Sequence, residues 1–175
     1  MALIIDATPS GQNSNSYITL DNANTYFDSR LYVTAWTDAT DDLKNRSLVM
    51  ATRRIDNEKF YGSRAVNNQS LAWGRIGLDD LDGVNINNII PYQIKEATCE
   101  LALYMLATDM SKAQENNGAV KRVKVGSVEK EYHYEAGQAV VQKSYNELPD
   151  FVASLLSDLS VTVSNGGAGQ INVSR

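Results

Sequence analysis

The sequence predicts a mainly α protein: a small helical bundle around a central helix at about residues 90–110, with a projecting β-hairpin at about 120–134 and an extended C-terminal tail. Three observations predict it. Ile90 to Met110 is apolar on most sides at helical spacing. Residues 120–134 alternate apolar and polar around Gly126-Ser127. Residues 165–170 read Asn-Gly-Gly-Ala-Gly-Gln, a composition that does not form a packed element.

In the first stretch, Pro91 suits a first helical turn, where its missing N–H costs nothing. Ile94, Ala97, Leu101, Tyr104, Met105 and Thr108 share one face, and Cys99, Ala102, Leu103, Leu106 and Met110 fill much of the other. A helix apolar nearly all round is wrapped by its neighbours. Lys95, Glu96, Glu100 and Asp109 interrupt it, which argues against a membrane span.

The 175 residues bound the chain to one domain of ordinary size, 1–160, with an appendage at 161–175. Hydrophobic content of 43% supplies a core. A net charge of −5 and a pI near 4.9 lower the case for a free-standing nucleic-acid binder, which ordinarily shows a basic patch. The single cysteine, Cys99, permits no disulfide within the chain and fits a reducing compartment. Met1 to Asp6 is too short for a signal peptide and lacks its basic flank, so the Asn-x-Ser triplets at 45, 68 and 172 carry no weight.

In order, residues 1–16 read as an extended arm and polar loop, and Tyr17 to Leu20 as a short strand. Asp21 is a good N-cap for a helix near 21–30, carrying Ala23, Tyr26, Phe27 and Arg30. Trp36 falls in the loop that follows. Thr40 or Asp41 caps a helix near 41–57, with Leu43, Leu48, Met50, Ala51 and Ile55 in one wide arc. Arg46 and Arg53 point away from that arc, as a solvated face or as a contact to a neighbouring subunit or DNA. A polar loop leads to Gln69-Ser70-Leu71-Ala72-Trp73-Gly74-Arg75. Asp80-Leu81-Asp82-Gly83 is a turn rather than a calcium loop, because Leu78 and Ile89 occupy two ligand positions.

In the hairpin, Val123, Val125, Val128, Tyr132 and Tyr134 alternate on an apolar face, and the other face carries Lys124, Lys130 and Glu131. A lone two-stranded hairpin is marginally stable, so it needs a sheet, a helix or a neighbouring subunit to lie against. Pro149 opens a last helix near 149–159, striped by Phe151, Val152, Leu155, Leu156 and Leu159.

Catalytic and cofactor motifs are missing: no phosphate-cradling loop, no dinucleotide fingerprint and no G-x-S-x-G. His133, the only histidine, reads as a surface strand residue with no partner for acid–base work. Cys99 reads as a small core hydrophobe. No metal, cofactor or catalytic residue is expected, and the chain reads as no enzyme. Trp73 and Arg75 read either as a core tryptophan with an arginine closing a local network, or as subunit-contact anchors.

A set of short motifs, in order, resembles a family. Asn15-Ser16-Tyr17-Ile18-Thr19-Leu20 followed by Ala23-Asn24-Thr25-Tyr26-Phe27 is similar to its N-S-Y-x-[ST]-L…A-x-x-Y-F opening. Ala51 to Asp56, Gln69 to Arg75, Ile90-Pro91 with Ala97 and Glu100-Leu101-Ala102, and the hairpin Lys121 to Tyr134 follow its later patterns. Gly74 stands where the pattern has proline. Across roughly residues 13–160 the chain resembles the tailed-phage head–tail adaptor, or head-completion, proteins. Some relatives carry a DnaT-like single-stranded-DNA-binding label.

The resemblance implies a homo-oligomeric ring, a dodecamer, docked beneath the portal protein. It would carry a downstream tail protein and let genomic double-stranded DNA pass without specific binding. Its place would be the virion, and the host cytoplasm during assembly, with no membrane contact. The hairpin residues Val123, Val125, Val128, Tyr132 and Tyr134 would then meet neighbouring subunits. The tail residues Gly166, Gly167, Gly169, Ile171, Val173 and Arg175 would reach the portal. The other expectation is a single-stranded-DNA-binding module, with tyrosines and tryptophans stacking on bases and Arg53, Arg54, Arg64 and Arg75 supplying charge.

Overall fold

In a computed structural model of the chain, residues 3–79, 83, 85–108, 122–125, 128–131 and 148–159 are described. Among them the architecture is mainly helical, in the order α1 (Leu20–Asp28), α2 (Thr34–Thr37), α3 (Asp41–Ile55), β1 (Ser63–Arg64), β2 (Arg75–Ile76), α4 (Tyr92–Ala107), β3 (Arg122–Val125), β4 (Val128–Glu131) and α5 (Asp150–Leu156).

α4 is the centre. Ile94, Ala97, Thr98, Cys99, Leu101, Ala102 and Leu103 are buried, on more than one side of the helix. α3 packs along it most extensively, then α5, with α2 and α1 completing the wrap. Full burial of a side chain such as Ile94 or Leu101 stabilises by about 2–3 kcal/mol. The helix starts later than its sequence suggests: Pro91 is the N-cap, with extended backbone, and Ile90 packs in the core before it. Met110 and Asp109 lie outside the described residues.

Several boundaries differ for identifiable reasons. Thr19, not Asp21, caps α1, because its hydroxyl accepts from the Asn22 N–H at 3.3 Å. Tyr17 to Leu20 is no strand; the Tyr17 N–H donates to Thr52 Oγ1 at 3.2 Å, so α3 rather than another strand satisfies it. Trp36 lies within α2, buried against Phe27, with Nε1 donating to Asn24 Oδ1 at 3.0 Å. Thr40 caps α3. Within α3, Leu43 and Met50 are exposed with Arg46 and Arg53, because the buried arc centres on Leu48, Ala51, Thr52 and Ile55. Arg46 pairs with Asp42 at 2.8 Å, one turn before it. Pro149 is the N-cap of α5, whose buried residues are Val152 and Leu156.

Two antiparallel ribbons occur. β1 pairs with β2, Ser63 opposite Ile76 and Arg64 opposite Arg75, across what reads in sequence as a polar loop. β3 pairs with β4 as the hairpin pattern predicts, and with no other strand among the described residues. The register is Arg122 with Glu131, Val123 with Lys130, Lys124 with Glu129 and Val125 with Val128. It corrects one assignment: Lys130 stands opposite Val123, and Glu129 stands opposite Lys124. Tyr132, Tyr134, His133, most of Asp80 to Gly83 and the whole of 161–175 lie outside the described residues.

Candidate functional site

Two regions compete for the role of site. One is the loop between α3 and α4 that carries Trp73 and Arg75. Asp56, the C-cap of α3, accepts from the Tyr17 hydroxyl and from the Ala72 N–H, the latter at 2.6 Å. Gln69 is buried; its Nε2 donates to the carbonyls of Leu71 at 2.7 Å and Gly74 at 3.1 Å, and its Oε1 accepts from the Val66 N–H at 3.0 Å. The Arg75 guanidinium donates to four carbonyls: Tyr61, Ala72 at 3.0 Å, Phe60 at 3.2 Å and Gly62 at 2.6 Å. Trp73 is buried and meets the Phe60 ring edge-on at 5.4 Å. Its indole Nε1 has no hydrogen-bond partner among the described residues. The Trp73–Gly74 peptide is cis. A Cβ at Gly74 would sit 2.7 Å from Asn88 Oδ1 and 2.9 Å from Asn88 Cα, so this approach requires glycine.

Burial, with the Asp56 carboxylate next, pushes the Tyr17 phenol well above its ordinary value, which keeps it a donor. Every polar group of Asp56, Gln69 and Arg75 named above is directed at this chain's own backbone or at Tyr17. Of the two readings of Trp73 and Arg75, the structure supports core tryptophan and network-closing arginine. Four of the five N–H donors of Arg75 are spent on these carbonyls.

The second region is a groove of about 490 Å³. α4 is its floor, with Glu100, Leu103, Tyr104 and Ala107; Tyr26, Arg30, Tyr32 and Ala35 from α1, α2 and their connection form one wall, and Phe151 and Leu155 of α5 the other. The lining is mostly apolar carbon. Its polar end is closed: Arg30 forks onto Glu100, Nε to Oε1 at 2.5 Å and Nη2 to Oε2 at 2.9 Å, and the Tyr26 hydroxyl donates to Oε1 at 2.7 Å. Burial alone would push the Glu100 carboxyl up; the hydrogen bonds from Arg30 and Tyr26 outweigh it and leave it below its ordinary value. Burial, then the bond to Glu100, pushes the Tyr26 phenol up.

The open end is what distinguishes the groove. Tyr32 is 91% exposed and Leu31 74%, and Tyr32 holds φ +60°, a backbone conformation a bulky residue rarely adopts. Phe151, edge-on to Tyr104 at 5.8 Å, is 44% exposed. Exposed apolar groups gathered around a groove mark an interaction surface. No titratable cluster with catalytic geometry lines it: the one carboxylate is fully engaged, and Cys99 lies buried in α4 with its thiol pushed up to about 12. Among the described residues there is also no group of three or more metal-ligating side chains, and no helix is long and apolar enough to cross a membrane.

A family model described as "Putative DnaT-like ssDNA binding protein" matches residues 1–175. The chain belongs to this family. No curated protein and no solved structure matches it. The match corresponds to the DnaT-like label among the relatives; it lends nothing to the head–tail adaptor role that the order of motifs implies.

In this DnaT-like family chain, several of the motif residues that carry the resemblance meet at the loop after α3. Tyr17, Thr52, Asp56 and Arg75 are linked directly or through the Ala72 backbone, with Gln69 bonded to the Leu71 and Gly74 carbonyls and Trp73 edge-on to Phe60 beside them. Of the hairpin residues named from sequence, Val123, Val125 and Val128 lie in β3 and β4; Tyr132 and Tyr134 lie outside the described residues, as do Gly166, Gly167, Gly169, Ile171, Val173 and Arg175. The groove is what sequence reasoning missed. Its walls come from three separate segments, and the one available signal was Leu31-Tyr32, an apolar pair in a connection between helices.

Proposed function

We propose that this chain acts through protein–protein assembly, as the head–tail adaptor of a tailed-phage particle. Copies form a ring, twelve-membered as in the family its motifs resemble, between the portal protein and the next tail protein. Genomic DNA passes through the centre. The observation that carries this reading is the groove: an apolar surface with its one carboxylate neutralised internally suits a polypeptide segment and offers nothing to a phosphate backbone. The net charge of −5 supports it, since like charges near phosphate repel over about 8 Å at physiological salt, which helps DNA slide. The C-terminal residues 161–175 serve as the arm to the portal, with Ile171 and Val173 as its apolar contacts.

Electron microscopy of the purified chain mixed with its portal tests this. Rings on the portal, lost when residues 165–175 are deleted, support it; absence of any portal complex with the full chain overturns it.

The family description favours a second reading, a single-stranded-DNA-binding module. Exposed Tyr61 and Tyr92 supply π-faces, and Arg53 and Arg64 are exposed cations. Arg75 spends four of its five N–H donors on carbonyls and adds little to that list. A fluorescence titration with oligonucleotides at low and high salt separates the two: binding that falls steeply with salt establishes the second reading, and no binding at low salt removes it.

A further inference from the structure

The outer face of α3 is a seam with two unlike flanks. Leu43, Arg46, Met50 and Arg53 are exposed along it, at alternating spacings of three and four residues, while Leu48, Ala51, Thr52 and Ile55 are buried on the opposite side of the helix. At roughly 100° per residue, Leu43 and Met50 share one flank of the seam, and Asp42, Arg46 and Arg53 share the other. Leu43 is 48% exposed and Met50 55%. Charge is also graded along the axis: Asp41 and Asp42 stand in the first turn, and Arg53 and Arg54 in the last. Arg46 is held by Asp42 at 2.8 Å, but among the described residues no carboxylate pairs with Arg53.

We infer that α3 pairs with the α3 of a second copy of this chain, antiparallel, about a two-fold axis level with Ser47. A two-fold axis at right angles to both helices sets each flank against the same flank of the partner, with the residue order reversed. On the apolar flank Leu43 then lies opposite the partner's Met50. On the charged flank Asp42, beside Arg46, lies opposite the partner's Arg53, which gains the acid it lacks. Each contact occurs twice, and the helix dipoles oppose one another. A parallel pair would set Asp42 on Asp42 and Arg53 on Arg53, so charge selects the antiparallel sense. The 15 residues of α3 give a seam of ~22 Å, which buries less than the roughly 1,200 Å² of a stable complex; the dimer is therefore weak and concentration-dependent. An isologous contact closes at two copies, so it describes the free chain and goes beyond the ring reading.

Sedimentation of the full chain up to about 1 mM, a concentration that detects even a millimolar dimer, tests the association. The expected result is a reversible monomer–dimer equilibrium. Arg53→Asp alone should weaken it about tenfold, and Arg53→Asp with Asp42→Arg in the same chain should restore it, because the pair is swapped and not lost. A chain that stays monomeric throughout overturns the inference, whether solvent or its own remaining residues then cover the face. So does a double variant no better than the single one at equal Tm. Disulfide trapping tests the register. Leu43→Cys and Met50→Cys chains of different tagged length are mixed and oxidised, with Cys99 left in place because it is buried and its thiol is pushed up to about 12. The mixed disulfide should form about tenfold faster than either disulfide between like chains, since docking raises the local concentration of the matched thiols alone. Equal rates contradict the antiparallel register. Portal-bound rings without the free dimer sink this contact alone, and the dimer without portal binding sinks the adaptor role alone.

Discussion

The loop after α3 and the groove over α4 use their side chains in opposite ways. In the loop, polar groups turn inward and are consumed: Asp56, Gln69 and Arg75 satisfy backbone donors and carbonyls that a buried irregular segment would otherwise leave bare. In the groove, apolar groups turn outward: Leu31 and Tyr32 at its rim are largely exposed, and Phe151, edge-on to Tyr104, is 44% exposed. The first region holds the shape, and the second is the surface proposed above for partners. The most recognisable letters of the sequence, Trp73 and Arg75 among them, therefore serve architecture, while the surface that suits a partner takes only Tyr26 and Glu100 from the motifs.

The largest effect expected from breaking this contrast is at Arg75. Arg75→Ala removes the donors of four carbonyls and should cost roughly 3 kcal/mol or more, seen as a fall in Tm of about 6–12 °C for a chain of this size. A variant that keeps its Tm but loses self-association would make Arg75 an interface residue and reverse the assignment. Asp56→Ala strands the Tyr17 hydroxyl and the Ala72 N–H, at about 2–3 kcal/mol by urea unfolding.

Glu100 sits between the two regions in size of effect. Glu100→Gln should cost about 1–2 kcal/mol, less than a fully buried pair because 35% of the Arg30 side chain is exposed. Its pH dependence has a definite sign. The Glu100 carboxyl titrates below its ordinary value of 4.5, so its stabilisation is complete above that value and is lost as the pH falls through the lower folded-state value. Urea midpoints followed into acid should therefore fall more steeply for the native chain than for Glu100→Gln; parallel curves would show that the fork contributes nothing.

The smallest stability effect is expected at Tyr32. Tyr32→Ser should leave stability within about 0.5 kcal/mol, because the ring is 91% exposed. A clear loss of stability would mean that Tyr32 belongs to the fold and not to a contact.

The sequence pattern was informative where one local period decided the structure. α4 is legible because apolar residues run round the whole helix, and β3 pairs with β4 where the alternation says. It misled where a tertiary partner overrode local preference. Tyr17 to Leu20 has strand-like residues, but Thr52 takes the Tyr17 N–H. Leu43 and Met50 look like core on a wide arc, but α4 packs against a narrower one. Lys130 was a matter of parity: it stands two residues on from Val128, and the register sets it opposite Val123. For Trp73 and Arg75 one of the two readings legible in sequence was a core tryptophan beside an arginine closing a local network. The four carbonyls that Arg75 gathers are not legible there, since Phe60, Tyr61 and Gly62 come alongside it only once β1 pairs with β2. The groove was illegible because α1, α4 and α5 contribute to it from positions far apart in sequence.

The most direct test of the contrast is mass photometry of the native chain and of Tyr32→Ser, each mixed with portal at matched concentration and with matched Tm. The expected result is full ring loading by the native chain and little or none by Tyr32→Ser, although both are equally folded. Equal loading by the two would contradict the claim that this exposed groove is where partners bind.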